Sequence, residues 1–400
     1  MRRHVRNGCF AFTAAAVMLW CSGCASSKGM VNHKAMAKQR WTEARSRIIF
    51  SMARQEFEVG DLDKAAKSLA QAMEADPENS EFHELAARIY LERGQLERAH
   101  RRLTTAIELE PNRSSAHYLM GILLQRWQRY DAALAEYQLA YEHERDDVSG
   151  LLAAAEMLVK LRRLDDAAGL LEDKLVYFEH NAAIRVALGQ ISMLQRDFAS
   201  AVKLFREASL LAPDKLELVE QLALAEYAAG ESEDAIYHLK LLRDRSEQYA
   251  GRLDLGLALA DCYLAINHAR AAREELMNLA HAHPQSVDVW IKLAQAAWVL
   301  EDTVRVQQAA RRITAMAPRR FEGYLVKGMV EGREGRSESA LAHFELASRL
   351  APDNALPVVL KGMTLERAGK VDAAIEAYKA ALQISPGDAR ARQLLAALAP

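Results

Sequence analysis

Between residues 46 and 388 the chain alternates apolar stripes with short polar turns, and the alternation returns every 34 residues. Seven of the nine prolines set the frame: Pro77, Pro111, Pro213, Pro284, Pro318, Pro352 and Pro386. Successive gaps are 34, 102, 71, 34, 34 and 34, so one period with three extra residues near Tyr249 to Arg252 accounts for all of them. Before each proline runs an apolar, alanine-rich stretch such as "AIELEPNR" or "ASRLAPDN". Proline cannot continue a helix, so each stretch predicts a helix that ends there and a polar turn that starts the next. With proline at position 32, ten units follow: 46–79, 80–113, 114–147, 148–181, 182–215, 216–249, 253–286, 287–320, 321–354 and 355–388.

Position 8 is Ala or Gly in every unit, from Ala53 and Ala87 to Gly328 and Gly362. Position 20 is alanine in nine units, with Val306 the departure. Position 24 is large and apolar in all but the eighth unit, which has Ala310. The fourth unit lacks the proline and has Glu179 there. Two helices cross closely only where a contact residue on each is small, and a bulky neighbour fills the space beside them. Each unit therefore predicts a helical hairpin.

Small 8, alanine 20, bulky 24, alanine 27 and proline 32 together resemble the tetratricopeptide repeat, over 46–388. The resemblance implies an all-α fold, a right-handed α-solenoid superhelix of about ten hairpins. The tail "DARARQLLAALAP" is expected to form a capping helix, 389–400, over the last hairpin.

The N-terminus breaks the pattern. "MRRHVRN" is basic, Gly8–Trp20 is uncharged and mostly apolar, and "CSGC" is small. These are the three zones of a secretory signal. Ser22, Gly23 and Cys24 resemble the end of a bacterial lipobox, with Cys21 where leucine is usual. That resemblance implies a cleaved leader, 1–23, and lipidation at Cys24, followed by a polar tether within 24–45. The uncharged stretch extends from Asn7 to Ser27, so an uncleaved membrane anchor is the alternative, and plain secretion a third. Ala25 is not the aspartate that retains lipoproteins in the inner membrane of enteric bacteria. The expected location is therefore the outer membrane, facing the periplasm.

Net charge is −2 with 52 basic and 54 acidic residues, a balance that argues against a nucleic-acid partner. Four cysteines, three of them before residue 25, exclude a disulfide framework in the body. No metal or cofactor motif is complete. "HAHP" at 281–284 falls on a turn, "HELAAR" at 83–88 lacks the second histidine, and "GMTLERAGKV" at 362–371 fails the phosphate-loop spacing. Cys262 reads as a helix-packing residue. The expectation is a non-enzymatic, membrane-anchored scaffold for protein or peptide partners, with no cofactor and no small-molecule substrate.

In the family the first helices line the concave face, and partners lie against positions 2, 5, 9 and 12. Lysine at 5 and asparagine at 9, the pair that clamps a C-terminal carboxylate, are absent. The resemblance instead implies an apolar groove. Position 5 supplies Tyr118, Leu152, Leu257, Ile291 and Leu325; position 9 supplies Ile122, Leu224, Met329 and Met363; position 12 supplies Met193, Tyr227, Leu264 and Trp298. Arg47, Arg54 and Arg88 are expected to form a basic entrance beside Glu81 and Glu84. Tetratricopeptide lipoproteins of this kind help assemble pili, secretion channels or polysaccharide exporters.

Overall fold

The computed structural model describes residues 27–398, and every regular element among them is an α-helix. The leader 1–23 and the lipidation residue Cys24 lie outside the described residues. No helix among the described residues is long and apolar enough to cross a membrane.

Residues expected to form a tether are helical instead. A single 32-residue helix, Ser27–Glu58, runs through them into the first hairpin. The reason is local: alanine, methionine, lysine, glutamine and arginine dominate 34–45, and all are strong helix formers. Polarity marked exposure there, not irregular structure.

The chain divides into two compact units, one up to Gly150 and one from Leu151. In the first, Ser27–Glu58 pairs with Leu62–Ala75, Ser80–Glu92 with Leu96–Leu109, and Ser114–Arg126 with Tyr130–His143. In the second, hairpins run from Ala182–Gln195 with Phe198–Leu211 to Leu356–Arg367 with Val371–Ile384. Ala389–Leu398 closes that series, and Ala391, Leu394 and Leu395 join the core of the last hairpin.

Within each hairpin the turn has one fixed feature. Position 15 is left-handed in all ten repeats. Five repeats use glycine there: Gly60, Gly94, Gly230, Gly335 and Gly369. The others hold Gln128, Arg162, Arg196, Asn267 and Glu301 at φ of 58 to 63°. A residue with a Cβ pays about 1–2 kcal/mol for that conformation, and the flanking helices enforce it.

Helix-to-helix contact is coupled in size. Where position 8 is glycine, position 24 is aromatic: Gly121 with Tyr137, Gly189 with Phe205, Gly328 with Phe344, Gly362 with Tyr378. A Cβ on any of these glycines would lie 2.5 to 2.7 Å from the ring. Where position 8 is alanine, position 24 is leucine, as in Ala87 with Leu103, both fully buried. The eighth repeat shifts its bulk instead, with Val306 at position 20 and Ala310 at position 24, both buried.

Successive repeats are joined by a recurring hydrogen bond. A donor at position 4 reaches the carbonyl of the proline that ended the previous hairpin. His83 Nε2 donates to Pro77 at 2.8 Å, His117 Nε2 to Pro111 at 2.8 Å, Trp290 Nε1 to Pro284 at 3.0 Å and Tyr324 Oη to Pro318 at 3.1 Å. Arg392 does the same from the closing helix to Pro386. Proline ends the helix, and its free carbonyl then orients the next one. Just ahead of the three extra residues the chain makes one helical turn, Glu247–Ala250, which buries Tyr249 against Leu239, Leu242 and Leu255.

Candidate partner-binding groove

Helix periodicity puts positions 5, 9 and 12 on one side of each first helix, and three concave sections result. In the first unit Phe57, Glu84, Arg88, Tyr118, Ile122 and Arg126 surround a hollow of about 520 Å³. In the second unit Leu152, Glu156, Val159, Val186, Gln190 and Leu194 surround another of about 520 Å³. Farther along that unit, Trp298, Met329, Arg333, Leu360, Met363 and Arg367 line a third, of about 360 Å³.

Tyr118 and Ile122 thus meet in the first hollow, Leu152 lies in the second, and Trp298, Met329 and Met363 meet in the third. Met193, Leu224, Leu257, Leu264 and Ile291 are half-buried, packed between successive hairpins. Leu325 is a correction. It is 8% exposed and belongs to the core with Phe344 and Ala347.

Tyr227 is exposed, but its hydroxyl is engaged. It donates to Asp261 Oδ2 at 2.8 Å, and Lys292 Nζ donates to Asp261 Oδ1. Burial, then the bond to Asp261, pushes the phenol up to about 12. One carboxylate at position 9 therefore ties together the first helices of three successive repeats.

The basic entrance is not assembled as expected. Arg47 and Arg54 are exposed and do not line the first hollow. Arg88 does line it, with its guanidinium over the Phe57 ring at 4.8 Å, and Arg126 joins it. Glu81 and Glu84 are held by Arg113, the last residue of the second repeat, which immediately precedes the third repeat's first helix. Arg113 Nε donates to Glu84 at 2.7 Å, and its guanidinium lies 3.6 Å from Glu81. The hydroxyl of Ser115 also donates to Glu84.

The same bracket recurs. Arg252 pairs with Glu220 and Asp254, and Arg320 with Asp288 and Glu322. Bonds to Arg252 hold the Asp254 carboxyl below its usual range. Sequence reasoning missed these arginines. The available signal was an arginine at the repeat boundary, 29 residues after a position 5 glutamate in the case of Arg113. The acids at position 5, Glu84 and Glu220, are thus each paired with an arginine at the boundary before the next repeat, and the hollows are lined by apolar side chains, cations such as Arg88 and Arg126, and carboxylates such as Glu144 and Glu156.

Two further polar clusters are structural. Glu226 is fully buried and bonded to His238 Nδ1 at 2.7 Å, a pairing that Glu331 and His343 repeat at 2.7 Å. Glu226, Glu231 and Asp234 converge, but the Arg206 guanidinium lies 3.3 to 3.5 Å from all three and takes the place of a cation. Cys262 is 1% exposed, and burial pushes its thiol up to about 11, so it stays protonated at neutral pH.

A sequence model of the tetratricopeptide repeat family matches residues 56–123, and a second matches 152–215 and 325–389. The chain is a tetratricopeptide repeat protein. As such it has the build of a protein–protein interaction scaffold, and tetratricopeptide repeat proteins are in general non-enzymatic. No curated protein sequence matches it. Among solved structures, the tetratricopeptide protein is similar to yeast Tom70, at 14% identity and TM-score 0.44, over 89% of this chain and 88% of that one. It is similar to pilF of Pseudomonas aeruginosa at 19% identity and TM-score 0.42, over 52% of this chain and 94% of that one. The tetratricopeptide domain of P58(IPK) matches at 16% identity and TM-score 0.32, over 88% and 97%.

Proposed function

We propose that this protein is a membrane-anchored lipoprotein scaffold that captures protein or peptide partners in its apolar hollows. It takes part in assembling an envelope machine such as a pilus, a secretion channel or a polysaccharide exporter. Cys24 carries the lipid, and the repeats face the periplasm from the outer membrane. One observation carries the reading of the groove. Tyr118, Ile122, Trp298, Met329 and Met363 are partly exposed in concave sections, and Glu84, at position 5 beside Tyr118, is paired with Arg113. Half-exposed aromatic and methionine side chains in a concave site suit the capture of an apolar helix or extended peptide.

The test is crosslinking in the cell with wild type, Trp298→Asp and Met363→Asp. Both variants should lose the main crosslinked partner and keep their helix content by circular dichroism. An unchanged crosslink in both sinks the groove reading.

For the anchor, acyl-lipid labelling should mark the wild type and fail with Cys24→Ala. The uncharged run from Asn7 to Ser27 favours a second reading, an inner-membrane adaptor held by an uncleaved helix. Absence of label from the wild type, with the leader still attached by mass spectrometry, decides for that reading.

A further inference from the structure

The first helix carries two apolar faces, and the hairpin uses only one. Ser46, Ile49, Phe50, Ala53 and Phe57 face the core with Leu69, Phe82 and Leu85. Trp41, Ile48 and Met52 form a second stripe, turned about a third of a circle away at 100° per residue. Their exposures are 63%, 65% and 52%, and Val59, in the following turn, continues the stripe at 74%. No other helix among the described residues leaves a tryptophan so open.

Basic residues flank this stripe. Between Lys34 and Arg54 there are six, Lys34, Lys38, Arg40, Arg45, Arg47 and Arg54, against Glu43 alone. That is a net charge of +5 over 21 residues, in a chain whose total is −2. On the helical wheel Lys34, Lys38 and Arg45 lie beside Trp41 and Met52, and Arg40 and Arg47 lie toward the other side. The Arg45 guanidinium stands over the Trp41 ring at 5.5 Å. The mostly apolar run Gly8–Trp20 ends twenty-one residues before Trp41.

We infer that the Trp41–Ile48–Met52 face of the helix Ser27–Glu58 seats on an anionic phospholipid surface. An apolar stripe with tryptophan at its edge enters the headgroup boundary, and lysine and arginine on both flanks meet the lipid phosphates. Charge chooses this occupant over a second copy of the chain. Pairing two such stripes would bring Lys34, Lys38 and Arg45 of each copy side by side, where like charges repel. The helix then sets the first hairpin against the membrane, whatever holds the leader. The inference does not rest on lipidation of Cys24 or on groove binding.

The test uses the full chain with Cys9, Cys21 and Cys24 changed to alanine, and Ile48→Cys labelled with a polarity-sensitive dye. Cys262 is buried and stays unlabelled. Vesicles of phosphatidylcholine with one quarter phosphatidylglycerol should shift the dye emission to the blue. Pure phosphatidylcholine vesicles should not, and 0.5 M salt should reverse the shift. Adding Lys34→Gln, Lys38→Gln and Arg45→Gln, all at exposed positions, should weaken binding to the anionic vesicles about 100-fold. No shift on anionic vesicles overturns the proposal. So does an equal shift on neutral vesicles, which would assign the binding to the leader's apolar run. A lipid-free shift that grows with protein concentration overturns it in favour of self-association.

Discussion

The second and third repeats are neighbours with the same frame and different interiors. In the second, Ala87 on the first helix faces Leu103 on the second. In the third, Gly121 faces Tyr137, whose ring lies where an alanine Cβ would sit, 2.5 Å away. Neither pairing is better in itself, because each fills the same crossing. The volume at the contact is conserved while the division between the helices changes. The aromatic version adds a polar handle: Tyr137 Oη donates to Gln125 at 2.8 Å, and Tyr378 Oη to Glu366 at 2.8 Å. The leucine version has none. The ninth and tenth repeats share the glycine–aromatic pairing of the third, the ninth with Phe344 and so without the handle, and in both position 5, Leu325 and Val359, lies in the core.

The comparison is broken most directly in the ninth repeat. Gly328→Ala puts a methyl 2.7 Å from the Phe344 ring and should destabilise by about 2 kcal/mol, overpacking outweighing alanine's better helix propensity. Phe344→Leu alone should cost a similar amount by leaving space. Together they rebuild the alanine–leucine pairing of the second repeat. The double variant should be more stable than either single one, with a coupling of about 1 kcal/mol or more. Urea midpoints that simply add would remove volume coupling as the explanation.

The polar handles sharpen the contrast at a smaller scale. Tyr378→Phe removes a bond to a carboxylate and should cost about 1.5–3 kcal/mol, whereas Tyr137→Phe, which removes a bond to a neutral amide, should cost about 1 kcal/mol. Equal losses would mean that the acceptor's charge has no bearing. Burial and the Glu366 carboxylate both raise the Tyr378 phenol, so it stays protonated well above the usual tyrosine range. The wild-type advantage over Tyr378→Phe should then be constant from pH 7 to about pH 9 and fall at higher pH, as the tyrosine of the unfolded chain ionises near pH 10 while the folded one stays protonated.

The smallest effect lies at the turns. Gly94 in the second repeat and Gln128 in the third occupy the same left-handed position, at φ of 69° and 59°. Gln128→Gly should stabilise by about 0.5 kcal/mol, and Gly94→Ala should destabilise by about 1 kcal/mol. Opposite shifts in thermal midpoint check this pair. A loss on Gln128→Gly would show that side-chain contacts of Gln128 outweigh its backbone strain.

The repeats were legible because their marks are local. Proline ends a helix wherever it stands, and small residues recur wherever helices cross. The candidate groove was legible in outline only. Tyr118, Ile122, Trp298, Met329 and Met363 do reach concave sections, but Leu325 does not, since it packs into the core with Phe344 and Ala347, a depth that its place in the repeat does not reveal. The basic entrance failed for a related reason. Arg88 found the Phe57 ring, and Glu84 was taken by Arg113 from the far end of its own repeat, a partner 29 residues away that no motif records.

By itself the sequence determined the 34-residue frame, the hairpin in each period and the apolar character of positions 5, 9 and 12. Each follows from short-range rules: a missing N–H, a missing Cβ, and the 3.6-residue turn. Only the tertiary structure decided which carboxylates are neutralised, which groove residues stay open, and that the segment before the first hairpin is a helix with a second apolar face. Those depend on what the neighbouring repeat presents, or, for the first helix, on the absence of a repeat before it among the described residues.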